Sequence, residues 1–361
     1  MSAVDILRSW TRCVKEDLLP DLHGHQAKAL ARLSLGMALA RHCSSALVSV
    51  AVPATRAKPA SVRRQQERLL ANPRLRAGWA MNQMARHLLE RWTAPAELLL
   101  ILDETPKAND LRLLKLGIAF HKREIPLIGI CYRNGETPDT MPKLVAKLLR
   151  RVGRMLRGRH DLNVTLLADR GLCWPLVLDL CEQMGWHYVL RAQVGTRLRL
   201  EERTIRSLGE LTRRGGEPWC GSGEVFKKSG WRQANVVCCW PADSAEPWLL
   251  ITDRPASLRR CQNYCKRTWC EESHRDQKSS GLQWQQSKVN DPTHAARLIL
   301  LMALAMLLAI ALGCQVIKRG WRKDLDPHRH RRLSIFQLGD RWLICSMHRQ
   351  LDVPLHISLP P

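Results

Sequence analysis

Residues 298–312 run through fifteen Leu, Ile, Met and Ala side chains without a break, and Gly313, Cys314, Gln315, Val316 and Ile317 prolong the uncharged stretch. Such a run leaves two outcomes. It spans a bilayer, which takes about 20 predominantly apolar residues, or it is a helix covered by protein on every side. The run occurs once, late in a chain with 57 Lys and Arg and 33 Asp and Glu, so a central buried helix is expected and no membrane partner. Other elements must then be arranged around it. At 361 residues the chain has length for two or three domains and needs no covalent staples to bury a core.

The formal net charge of +24 repels itself in a compact fold unless a polyanion offsets it, which points to nucleic acid as partner. Thirteen cysteines, an odd number, are too sparse for a disulfide scaffold. The first eight residues are polar and mixed, with no apolar leader core, so reduced thiols in a cytoplasmic protein are expected. Cys261, Cys265, Cys270 and His274 invite a zinc reading. They lie in a stretch that reads as one helix, with Cys265 and Cys270 on different faces, so a structural zinc is not expected.

Residues 1–93 read as a helical DNA-binding domain, with helices over 4–19, 26–41, 61–70 and 75–92 and a basic loop carrying Arg56, Lys58, Arg63, Arg64 and Arg68. Residues 94–194 change period: buried runs at 97–102, 116–120, 125–132, 163–168 and 187–191 alternate with helices opened by Pro142 and Pro175. The expected series is β-β-β-α-β-α-β, a mixed α/β sheet flanked by helices. The helix after Pro142 carries Lys143, Lys147, Arg150, Arg151, Arg154 and Arg157 and no acid. Residues 195–253 read as an all-β element bearing tryptophans. Residues 254–317 return to helix, and 318–361 form a basic tail with a short apolar finish.

In so basic a chain, acids at structurally special positions carry information. Asp103 and Asp169 each follow a buried run and are expected to cap the C-terminal ends of two strands of one sheet, where ligands collect. Glu104 points to the opposite face and cannot serve with Asp103. Two such carboxylates with a third from a helix suit two Mg²⁺ ions, which take oxygen ligands and clamp an in-line phosphoryl displacement. Tyr264, Arg267, Glu271 and Lys278 fall at i, i+3, i+7 and i+14, one stripe of a helix. A polar stripe around a carboxylate is expected to face phosphates and metal rather than core, and the plain rival is a solvated face with an Arg267–Glu271 ion pair.

These residues resemble the DDE transposases of bacterial insertion sequences, in particular the insertion-sequence-four family. The matches are Leu-Ile-Leu-Asp103-Glu-Thr, Leu-Leu-Ala-Asp169-Arg-Gly and the gapless Tyr264-x2-Arg267-x3-Glu271-x6-Lys278. The likeness covers about residues 94–318. It implies an RNase H-like catalytic core with an N-terminal helical domain and a β-stranded insertion before the final glutamate. It further implies that Asp103, Asp169 and Glu271 hold two Mg²⁺ ions, for which Mn²⁺ can substitute. Tyr264, Arg267, Lys278 and Arg170 would contact DNA, and Trp248 would stack on a flipped base. The partners implied are the transposon's terminal inverted repeats and target DNA, bound by a homodimer in a bacterial cytoplasm. About 44 residues follow Ile317, so no separate C-terminal dimerisation domain is expected. The rival readings are a catalytically idle DNA-binding derivative and an RNase H-like nuclease that cuts without joining.

Overall fold

The computed structural model describes residues 3–53, 57–93, 97–108, 110–201, 204–351, 353 and 357. Its first sheet strands are β1 (Glu97–Lys107), β2 (Leu111–Phe120) and β3 (Arg123–Arg133). All are longer than the apolar runs suggest, because the polar residues at their ends still find backbone partners. His121 and Lys122, both at positive φ (46° and 66°), form the two-residue turn between β2 and β3, the left-handed geometry that matches strand twist. Helix α6 (Met141–Met155) crosses to β4 (Asn163–Ala168), and α7 (Pro175–Gln183) to β5 (His187–Arg191). β1, β4 and β5 are mutually parallel, as helical crossovers require.

The stranded segment continues this sheet rather than starting another. After β6 (Arg197–Arg199), β7 (Ile205–Ser207), β8 (Trp219–Val225) and β9 (Arg232–Cys239), strand β10 (Trp248–Thr252) pairs antiparallel with β5. One ten-stranded sheet results, in the order β3-β2-β1-β4-β5-β10-β9-β8-β6-β7. The fold is the mixed α/β, RNase H-like arrangement expected. Alternation along β1 sorts its two faces. Leu98, Leu100 and Leu102 join the large core with Leu144, Val145 and Leu148 of α6. Leu99 and Ile101 join Leu167, Val189, Val237, Leu250, Tyr264 and Cys270 on the other face. That second face is the one α8 (Arg259–Cys265) and α9 (Trp269–Lys278) cover.

The long apolar run is α10 (Pro292–Lys318), capped by Asp291, whose Oδ1 accepts the His294 N–H at 2.8 Å. It is long and apolar enough to cross a membrane, yet 89% of its most apolar window is buried within the protein. Helices α1 (Ala3–Arg12), α2 (Gly24–Ala40), α3 (Ser45–Ala51), α4 (Pro59–Ala71) and α5 (Ala77–Glu90) form the N-terminal part, and α2, α4 and α5 pack on α10. Buried Arg297 of α10 donates to the Leu70 and Leu75 carbonyls at 2.6 and 3.0 Å, tying down the α4–α5 connection. The first expected helix ends its α-helical part at Arg12 and continues as a π-helical turn, Cys13–Leu18; α3 was not expected at all. Its Ser- and Val-rich composition has weak helix propensity, and packing on α2 decides its state. Of the basic loop, Lys58, Arg63, Arg64 and Arg68 are exposed, while Arg56 lies outside the described residues.

The tail also differs from expectation. After the short α11 (Arg322–Leu325) comes α12 (Ile335–Arg349), opened by a reciprocal capping box between Ser334 and Gln337. It lies along α10, and the two helices meet where neither carries a side chain. A Cβ on Gly339 would stand 1.7 Å from the Ala309 carbonyl oxygen, and one on Gly313 1.9 Å from that of Ile335. Backbone cannot yield as a side-chain tip can. Gly339→Ala is therefore expected to cost at least about 3 kcal/mol, the upper part of overpacking penalties. Thermal melting checks this, and a variant that melts with the parent would refute the tight crossing.

Asp340 of α12 is buried, with a carboxylate oxygen 2.9 Å from Arg41 Nε. Burial pushes its carboxyl up to about 6, against the pull of Arg41. A folded pKa above the unfolded value means the native state holds the extra proton. Its contribution is then most favourable below about pH 4 and is lost as pH rises to about 6. A shift of about two units is worth at most about 3 kcal/mol. Asp340→Asn should flatten the stability profile between pH 4 and 6 in denaturant titrations; an unchanged slope there would contradict the assignment.

Candidate active site

The parallel register of β1 and β4 ends at the pair Leu102–Ala168, so Asp103 and Asp169 are the next residues on each strand, side by side. Asp169 does lie just past its strand: it caps the short turn Arg170–Leu172, its Oδ1 accepting the Arg170 N–H at 2.8 Å. Asp103 does not end a strand. β1 runs on to Lys107 because β2 keeps pairing with it, Asp103 opposite Lys115, after β4 has turned away. Glu104 points to the opposite face, where its carboxylate accepts from the Tyr132 hydroxyl.

The stretch that reads as one helix through Tyr264 and Lys278 is two, α8 and α9, joined by a 3₁₀ turn, Lys266–Thr268. The Thr268 hydroxyl donates to the Cys265 carbonyl at 2.7 Å, a local bond that competes with the helical ladder. The polar stripe survives the break but faces the sheet, not solvent. Tyr264 is 2% exposed and its hydroxyl donates to Asp169 at 3.2 Å. Lys278 donates to Thr105 at 2.6 Å.

Arg267 stands at the centre. Its Nη2 lies 2.9 Å from Asp103 and 3.4 Å from Asp169, and its Nη1 lies 2.7 Å from Glu271. One guanidinium thus holds all three acids singled out in the sequence. The i,i+4 pair Arg267–Glu271 exists, but a side chain 12% exposed that reaches two further carboxylates is not part of a solvated face. Glu271 is the open side of the cluster, 58% exposed.

The acids differ in charge state. Burial raises the Asp103 carboxyl more than Lys115 and Arg267 lower it. Burial would raise Asp169 too, but Arg267, the Arg170 N–H, Arg191 and the Tyr264 hydroxyl bring it below the usual carboxylate range. Burial disfavours a charge on Lys115, yet its buried partner Glu124, 2.5 Å away, more than restores it. Burial, then Lys115, lower the Lys278 ammonium.

Two other expected residues stand apart from the acids. The Arg170 guanidinium turns to Glu246 at 2.9 Å. Trp248 is half-buried on β10, its ring edge-on to Tyr264 with centroids 5.5 Å apart. The basic residues of α6 are on the sheet face opposite the acids. The sequence reading weighed His274 and Cys270 only as part of a zinc set and put it aside; His274 Nε2 is 3.3 Å from Asp103 Oδ2, and Cys270 is buried beside it. Their signal was a four-residue separation on the helix that carries Glu271.

Asp103 Oδ2 is buried with no hydrogen-bond partner among the described residues. Three carboxylates that need a guanidinium between them, one of them with a second buried oxygen lacking a hydrogen bond, are a donor set into which hard divalent cations fit. No curated protein matches the chain. A family model described as the transposase DDE domain matches residues 111–308. The matched span holds Asp169, Tyr264, Arg267, Glu271 and Lys278, and Asp103 joins them through the strand register. With more than half its length matched and its acids gathered beside the inner strands β1 and β4 of an RNase H-like sheet, the chain belongs to the transposase DDE domain family.

Proposed function

We propose that the protein cuts DNA at transposon ends and joins them to target DNA in a metal-dependent, cut-and-paste reaction. The observation that carries this reading is the convergence of Asp103, Asp169 and Glu271 on the single Arg267 guanidinium. Asp103, Asp169 and Glu271 would hold two Mg²⁺ ions, or Mn²⁺ in their place. When bound, such ions polarise the scissile phosphate and stabilise the attacking and leaving oxygens. Arg267 is freed from the acids and grips a backbone phosphate as a planar fork, and Lys278 adds a point charge one helical turn or more further on. Tyr264 keeps Asp169 oriented, and Trp248, next to it, offers a ring on which an extruded base can stack. Arg170 contacts DNA once released from Glu246.

Residues 1–93 serve as the DNA-binding domain, 94–194 and 254–317 as the catalytic core, 195–253 as its insertion and 318–361 as a basic tail. A homodimer pairs the two ends in a bacterial cytoplasm. The test begins with the DNA flanking the gene, where short inverted repeats would supply labelled ends. Ends cleaved and joined only with a divalent ion support the proposal. Cleavage without joining favours a nuclease, and binding without cleavage an idle derivative.

Binding should be strongly salt-sensitive. Each neutralised phosphate releases condensed counterion, so log affinity is expected to fall with log salt at a slope of about −0.9 per contact. A titration with a slope near zero would contradict the charge argument.

A further inference from the structure

We propose that Asp103, Cys270 and His274 form a second kind of metal site, one for a borderline divalent ion such as Zn²⁺ or Co²⁺ rather than Mg²⁺. The site is distinct in its donors from the all-oxygen set and shares one residue with it. Cys270 and His274 are four apart on α9, so both side chains leave the same face of the helix. That face meets β1 at Asp103. A sulfur, a nitrogen and an oxygen from these residues lie within 4.8 Å of one another.

Two features separate this cluster from a chance meeting. Asp103 is 5% exposed, and its Oδ2 has no hydrogen bond; nor does His274 Nε2, which faces it. Two buried polar atoms lie 3.3 Å apart with no hydrogen bond between them, and a shared cation off the line joining them would satisfy both. Their separation is also suitable. Zinc bonds of about 2.0–2.1 Å to nitrogen and oxygen at a tetrahedral angle place the two donors about 3.3 Å apart, and the structure has 3.3 Å. Cys270 Sγ, within 4.8 Å of both atoms, would move closer to complete a third corner, and a water can take the fourth.

The donor set selects the ion. Imidazole and thiolate suit Zn²⁺ and Co²⁺, whereas Mg²⁺ takes oxygen. Burial, with Lys115, Lys278 and Arg267 nearby, keeps the imidazole neutral, the form that ligates. Burial likewise keeps Cys270 a thiol, so ligation forms a metal–sulfur bond as the S–H proton passes to solvent, one proton per ion. The ion then adds a net positive charge beside three cations, which limits affinity. Since Asp103 Oδ2 is engaged and a dication sits next to the acids, Mg²⁺ binding should weaken. This inference does not depend on the DNA-cutting reading, because it is tested without DNA.

The experiment is Co²⁺ titration of the full chain, followed by absorption and by proton release. The expected result is a thiolate-to-cobalt charge-transfer band that saturates at one ion per chain with release of one proton. Cys239 and Cys261, whose sulfurs are 3.1 Å apart, are the rival thiol pair. Cys261→Ser should keep the band, Cys270→Ser should remove it, and His274→Ala should weaken binding at least tenfold. Circular dichroism shows whether each variant is folded. If Cys270→Ser does not fold, wild-type protein loaded with ¹¹³Cd²⁺ is read by NMR instead, and the cadmium shift must report one thiolate ligand and persist in Cys261→Ser. No band, a band that survives Cys270→Ser, or a cadmium signal lost in Cys261→Ser would overturn the proposal.

Discussion

Asp103→Asn is expected to lower end cleavage by about three orders of magnitude or more, with DNA retention unchanged. The site's charge stabilisation is worth at least several kcal/mol in the transition state. Asparagine keeps the size and the Arg267 contact of Asp103 but not its charge. Binding rests on basic groups elsewhere, so gel retardation should match the parent. Cleavage within tenfold of the parent would remove Asp103 from the site. The parallel register makes the same demand of Asp169, its neighbour beyond the end of the β1–β4 pairing.

Arg267→Ala is expected to abolish cleavage and also to lower the melting temperature in chelator. Removing one member of a buried ionic cluster costs about 3–5 kcal/mol, and the lower end applies because Glu271 is more than half exposed. Three acids without their guanidinium repel one another, so the loss should be largely reversed by millimolar Mg²⁺. The parent should respond less to Mg²⁺, since its acids already have a cation. Arg267→Lys should restore stability more than cleavage, because a point charge cannot reproduce the fork that reaches three carboxylates. An Arg267→Ala protein that cleaves normally, or whose melting ignores both chelator and Mg²⁺, would count against a shared acidic site.

Asp103, Asp169 and the Tyr264–Lys278 stripe were legible because they rest on spacing, which the chain carries in plain view. Direction was not legible. Periodicity tells that Tyr264, Arg267, Glu271 and Lys278 share a stripe. It does not tell that the stripe turns inward, which follows from the small apolar cluster around Leu99, Ile101 and Tyr264. The extent of β1 was misjudged for a related reason: polar residues 103–107 look like a turn until β2 is seen to pair with them. Burial of the apolar run in α10 could be argued from charge alone. The helix that covers it, α12, was hidden behind the basic stretch at 318–332, although Ser334 and Gln337 marked its start.

The arrangement around α10 has a genetic consequence. This helix is gripped from one side by α2, α4 and α5, which precede it in the chain, and from the other by α12, which follows it. A premature stop codon just after α10 would spare Asp103, Asp169, Glu271, Tyr264, Arg267 and Lys278. It would also strip the cover from Gly313, Phe336's neighbours and the apolar flank that α12 shields. The shortened product would be expected to aggregate during synthesis rather than persist as a binding-competent competitor of the intact protein. Loss of function can therefore begin in codons for α12, distant in sequence from the acidic cluster.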